Sequence, residues 1–225
     1  MTNLNCLLAG LFWLLGPPLT AILWHKKTGA RFYPAIIACL VCLPVFFLGA
    51  AIRSCFDKSG WVGYYIRQGM LFGILEEGVK YLMLRFHLTS YDSKKDAVTY
   101  GIGHAGFEAF GIGMSCMGLI GTGRGAPDMA VMALLSVTEH LASCIALTVL
   151  IFWGICTDKW KWLLPVVMLL HAAANMSQGI FIEPAAKTIG FLLTAGECFA
   201  AYRCWRSTAL WEPDAAWETE IKTDE

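Results

Sequence analysis

Seven stretches of this chain are long and apolar enough to cross a bilayer: 4–24, 32–52, 61–88, 97–121, 129–156, 162–182 and 185–203. A membrane helix needs about 20 mostly apolar residues. The spacing therefore predicts an all-α fold, a polytopic transmembrane bundle of about seven spans. Composition agrees. Hydrophobic residues make up 57% of the chain and charged ones 15%, whereas a soluble domain carries about a quarter charged residues. A soluble fold of this size could not hide so much apolar surface. The 17 Lys and Arg balance the 17 Asp and Glu, so there is no basic footprint for nucleic acid. Disorder, collagen and a secreted disulfide scaffold are excluded by the same composition. Six of the nine cysteines (Cys6, Cys39, Cys42, Cys116, Cys144 and Cys198) lie inside apolar stretches. There they read as small packing residues. Cys39-x-x-Cys42 has no His or acid near it in sequence and is read the same way.

Lys and Arg in the loops set the orientation. Counting alternate loops, one side holds ten of them, including Lys26, Lys27, Arg31, Lys94 and Lys95, and the other holds four. The N-terminus is expected outside and the C-terminus in the cytoplasm. The first span lacks a basic leader and is too long for a simple signal-peptide core, so it reads as a span. Gly16-Pro17-Pro18 interrupts it, which predicts a kink or an unwound turn. The expected organisation is one membrane domain over 1–206, with its working helices at 61–182, followed by an acidic cytoplasmic tail at 207–225. Trp211 to Glu225 carries six acids and one Lys, a composition typical of a disordered end.

The first two spans carry no charge. The later ones contain Arg67, Glu76, Glu77, Lys80, His104, Glu108, Glu139, His140, His171 and Glu197. Each charge at mid-bilayer costs roughly 2.5–3.5 kcal/mol. Glu76, Glu77, Lys80 and Glu108 would together cost on the order of 10 kcal/mol if unpaired, comparable to a whole domain's stability. They must face one another, water or a metal. Depth points the same way. At about 1.5 Å per residue, Glu77 lies roughly 16 Å from the cytoplasmic end of its span, Glu108 roughly 18 Å and His171 roughly 16 Å. His104 and Glu108 are four apart and share a helical face, as do His171 and Asn175, and as do Glu76 and Lys80. A His with a second ligand one turn later is how the soluble H-E-x-x-H motif binds zinc. Here the ligands would come from different helices, as in metal sites inside helical bundles.

Three motifs follow one another on successive spans. Glu76-Glu77-Gly78-Val79-Lys80 is E-E-x-x-K, Gly101 to Ala109 is G-x-G-H-x-G-x-E-A, and His171-Ala172-Ala173-Ala174-Asn175 is H-x-x-x-N. This ordered set, from about Gly73 to Gln178, resembles the YhfC family of intramembrane metalloproteases, which is related to the PrsW-type and the CPBP/Abi CAAX-type proteases. PrsW-type proteins carry F-x-x-x-E in the second motif and CAAX-type proteins F-x-x-x-H; His104-x-x-x-Glu108 departs from both. The resemblance implies an endopeptidase that hydrolyses a peptide bond inside or near the bilayer. It implies Glu77 or Glu76 as general base, with Lys80 neutralising one carboxylate. His104, Glu108, His171 and Asn175 would hold a divalent metal, zinc, or stabilise the oxyanion, and His140 matches an extra His on an intervening helix. It also implies a bacterial cytoplasmic membrane, with lipid and a peptide or protein substrate as partners.

Blander readings stand beside this one. Glu76, Glu77 and Lys80 could form a structural ion pair, His104 and His140 could be packing histidines, and His171 with Asn175 could be interhelical hydrogen-bond glue. Arg67 is expected to pair with Asp57 or Asp128, and Glu197 with Arg203 or water. The same acids and histidines could also line a metal-ion or proton pathway, or persist in a non-catalytic binding protein. The glycines from Gly101 to Gly118 read as a small-residue stripe for close helix packing. Gly101-x-Gly103 follows no strand and is rejected as a nucleotide loop.

Overall fold

The structure is a computed structural model that describes residues 2–90 and 93–207. It contains α1 (Thr2–Thr28), α2 (Tyr33–Ser54), α3 (Trp61–Leu82), α4 (Lys94–Gly118), α5 (Met129–Cys156), α6 (Trp160–Ile180) and α7 (Glu183–Arg206). A wider π-helical turn over Met83–His87 extends α3. No strand occurs among the described residues. Each helix overlaps one expected span to within a few residues, and the shortest, of 21 residues, rises about 31 Å, the thickness of a hydrocarbon core. Four of them, α1, α2, α5 and α6, are apolar enough to cross a membrane by length and composition. The remaining three, α3, α4 and α7, fall short of that standard. They carry most of the ionisable groups singled out above. The acidic tail beyond Ser207 lies outside the described residues.

Local signals start and stop these helices. Gly29, at φ +70°, closes α1, its N–H donating to the His25 carbonyl at 2.8 Å, a left-handed cap that glycine adopts without strain. Ser93 caps α4, accepting from the Asp96 N–H at 3.2 Å, and Arg31 pairs with the Asp96 carboxylate. Trp24 Nε1 donates to the Lys95 carbonyl at 3.1 Å, and Lys94 Nζ to that of Trp205 at 3.2 Å. The C-terminal ends of α1 and α7 and the N-terminal end of α4 thus share one end of the bundle. At the other end, the amide of Gly121 donates to Asn3 Oδ1 at 3.0 Å.

An unwound turn at Pro17-Pro18 does not occur. Both prolines lie inside a continuous α1. Neighbouring helices hold this segment: a Cβ on Gly16 would stand 3.3 Å from Val137 Cγ2 of α5. Thr20 Oγ1 bonds the Gly16 carbonyl at 2.8 Å. Membrane helices tolerate proline where neighbours and Ser or Thr hydroxyls support the backbone in this way.

The bundle is apolar outside, and its largely apolar interior encloses a few buried ionisable groups. Leu40, Phe47, Leu192 and Phe199 are exposed, whereas Glu77, Lys80 and His104 are buried. The exposed apolar side chains face lipid. The helix α5 is central, with every residue from Ala146 to Phe152 buried. Glycines set the crossings. A Cβ on Gly73 of α3 would stand 2.6 Å from the Met168 carbonyl oxygen of α6, and one on Gly101 of α4 2.8 Å from Ile145 Cα of α5. Gly103 abuts the Ala35 backbone of α2, and Gly113 abuts Leu14 of α1. The expected stripe on α4 is therefore spread over contacts with three helices, Gly106 also meeting Pro17 of α1 and Cys39 of α2. Gly111 and Gly118 meet nothing. Gly73→Val is expected to destabilise the bundle by about 1–3 kcal/mol through overpacking. Gly111→Ala should be neutral or stabilising, since Ala favours a helix over Gly by about 1 kcal/mol. Thermal unfolding of the two variants in detergent checks this contrast.

Candidate active site

On a helix of 3.6 residues per turn, consecutive side chains point about 100° apart. Glu76 and Glu77 therefore reach different neighbours. Glu77, fully buried, accepts from Lys80 Nζ at 2.7 Å and from His171 Nδ1 at 2.6 Å. The Lys80 partner is thus Glu77, at i,i+3, and not Glu76 at i,i+4, because Lys80 and Glu77 share the buried face of α3. Gly69 and Gly73 let α3 approach α6 closely enough for Glu77 to meet His171: a Cβ on Gly69 would lie 2.8 Å from the Ala172 carbonyl oxygen. Since a carboxylate only accepts, His171 carries a proton on Nδ1. Its Nε2 faces Glu76 Oε2 at 3.3 Å.

Glu76 also approaches α4. Its Oε2 lies 3.7 Å from His104 Nε2. One turn on, Glu108 Oε1 lies 3.2 Å from the same nitrogen, as the four-residue spacing predicts. The other oxygen of Glu108 faces His140 Nε2 of α5 at 3.4 Å. The ring of Trp13, from α1, lies 5.7 Å from that of His140. A void of about 10 Å³, bordered by Glu76, His104, Tyr100 and Cys42, matches the space of one water molecule. Five of the eight expected residues (Glu76, His104, Glu108, His140 and His171) thus form a continuous chain of contacts across α3, α4, α5 and α6. Glu77 and Lys80 stand behind it. Among the described residues no hydrogen bond or ion pair joins Asn175 to this group.

Two cysteines read as packing residues belong here. Cys42 Sγ lies 3.1 Å from His104 Nδ1, so the Cys39-x-x-Cys42 pair does have a His beside it in space. Cys144 Sγ lies 3.8 Å from His140 Nε2. Donor atoms of His104, Glu108 and Cys144 all fall within 4.8 Å of one another. The signal in the sequence was His140-x-x-x-Cys144, the same one-turn spacing as His104-x-x-x-Glu108. Other expectations resolve away from the site. Arg67 Nη2 donates to the Asp57 carbonyl at 2.8 Å. Glu197 faces α5 rather than Arg203, accepting from Ser143 Oγ at 2.6 Å.

The chemistry of these donors suits a divalent ion. Glu76 Oε2, His104 Nε2 and Glu108 Oε1 are buried and have no hydrogen-bond partner among the described residues, although neighbours lie 3.2–3.7 Å away. Buried polar atoms left unsatisfied cost about 1–3 kcal/mol each. Two donors each about 2.0–2.1 Å from a tetrahedral ion lie about 3.3 Å apart. The His104–Glu108 and His171–Glu76 separations sit at that value. The outer nitrogens are also partnered, as metal-binding histidines require: His171 Nδ1 by Glu77, and His104 Nδ1 by Cys42.

Residues 43–122 match the family model described as YhfC intramembrane metalloprotease. This is just over a third of the chain. The resemblance drawn from the motifs holds over this stretch, which contains Glu76, Glu77, Lys80, His104 and Glu108. It ends before His140, Cys144 and His171. The family's name carries an intramembrane protease activity and a metal. The chain matches no curated protein and no solved structure.

Proposed function

We propose that this protein is an intramembrane endopeptidase that hydrolyses a membrane-embedded or membrane-proximal peptide bond with a water activated by Glu76. All seven helices cross the bilayer in this reading, a bacterial cytoplasmic membrane, with the N-terminus outside and the acidic tail in the cytoplasm. His104 and Glu108 hold a divalent ion of the zinc type, flanked by His140 and His171. Such an ion supplies Lewis-acid polarisation of the peptide carbonyl and acidifies a neighbouring water.

The remaining work falls to this chain's own groups. Glu76 takes a proton from the water as its oxygen attacks the carbonyl carbon. It returns that proton to the amine nitrogen as the C–N bond breaks. Glu77 and Lys80 are positioning residues. Lys80 neutralises Glu77, and Glu77 fixes the His171 ring, so that Glu76 is left as the carboxylate free to react. Two adjacent acids thereby take different roles. Asn175 has none in this scheme.

The observation that carries the proposal is the convergence of three buried, unpartnered donors, Glu76 Oε2, His104 Nε2 and Glu108 Oε1, from α3 and α4. The test uses the full chain in liposomes with a panel of membrane-spanning peptides, their cleavage read by mass spectrometry. Cleavage should disappear with a chelator, return with added Zn²⁺, and be absent in His104→Ala. Undiminished cleavage by His104→Ala would refute it.

A further inference from the structure

We propose that Cys144 is a direct ligand of the metal held by His104 and Glu108, making the centre a mixed nitrogen, oxygen and sulfur site. This rests on the metalloprotease reading above. Three observations lead to it. The sulfur shares a common 4.8 Å sphere with donor atoms of His104 and Glu108. His104, only 2% exposed, turns an unpartnered Nε2 into that sphere. Gly101 permits the approach: a Cβ there would stand 3.0 Å from the Cys144 carbonyl oxygen. The α4–α5 crossing is thus close where Cys144 sits, one turn before His104 on α4.

The pattern across the two helices is regular. His104-x-x-x-Glu108 on α4 faces His140-x-x-x-Cys144 on α5, each pair presenting two donors on one face. Cys144 Sγ lies 3.8 Å from Nε2 of the flanking His140, one turn away on α5.

Cys144 binds as thiolate, its proton leaving to solvent. Sulfur also selects a softer cation: zinc binds thiolate readily, whereas magnesium and calcium prefer an all-oxygen shell.

The experiment loads the purified full chain with Zn²⁺, and separately with Co²⁺, and reads the metal's coordination by X-ray absorption. The expected result is one sulfur at about 2.3 Å, absent in Cys144→Ser and Cys144→Ala but retained in Cys42→Ser. Zn²⁺ affinity should fall in both Cys144 variants by more than the roughly 10–100-fold that loss of an outer-shell partner costs. Circular dichroism of the metal-free variants verifies that they fold. A shell of nitrogen and oxygen only, unchanged by Cys144→Ser, would overturn the inference and leave the protease reading intact. Metal binding indifferent to His104→Ala and Glu108→Gln would overturn both.

Discussion

Glu76→Gln should lower kcat by about 10²–10⁴-fold, the range supplied by a positioned general base, with bound metal unchanged. The amide keeps the shape and one acceptor oxygen but cannot take the proton of water. His104→Ala should instead lose metal and activity together, because Nε2 of His104 faces both Glu108, at 3.2 Å, and Glu76, at 3.7 Å. The paired measurement is metal content by mass spectrometry beside single-turnover cleavage. Retained turnover in Glu76→Gln would move the base elsewhere. A parallel loss of metal in Glu76→Gln would make Glu76 a ligand instead.

A comparable effect, on stability, is expected at Lys80. Lys80→Met removes the cation from a pair in which both side chains are fully buried. It leaves Glu77 charged with only His171 to compensate it. Breaking a buried pair from one side costs about 3–5 kcal/mol, or about 6–20 °C in Tm for a chain of this size. The double variant Glu77→Gln with Lys80→Met should recover most of this loss. Its amide oxygen still accepts from His171 Nδ1, and no unpaired charge remains. Thermal unfolding of the two variants in detergent distinguishes the outcomes. Equal Tm values in wild type and Lys80→Met would show that the pair is not buried as described.

Much of this arrangement was legible in the sequence because lipid makes polar residues conspicuous. Glu76, Glu77, His104, Glu108 and His171 stand out in apolar surroundings, and one-turn spacing places His104 with Glu108. Helix positions followed from the same contrast. What was not legible depends on rotation and crossing. Whether Glu76 or Glu77 faces α4 is fixed by how Gly69 and Gly73 seat α3 on α6, which no local pattern records. Cys144 escaped notice because a cysteine in an apolar run has the same composition whether it packs or ligates. Its spacing from His140 was the available sign. Pro17 and Pro18 misled in part: their geometry argued for a kink or an unwound turn, and the turn is absent where Val137 of α5 and Thr20 support the helix. Glu197 lies six residues before Arg203, on a different face of α7, so proximity in sequence gave the wrong partner.

The central claim is that side chains which lipid should exclude are tolerated here because they surround one shared ion. Anomalous diffraction at the zinc edge, from crystals of the full chain grown with Zn²⁺, tests it most directly. The account predicts one peak about 2.0–2.2 Å from His104 Nε2 and a Glu108 oxygen, with Glu76 beside it. A map with no peak there, and His104 and Glu108 bonded to each other directly, would contradict it.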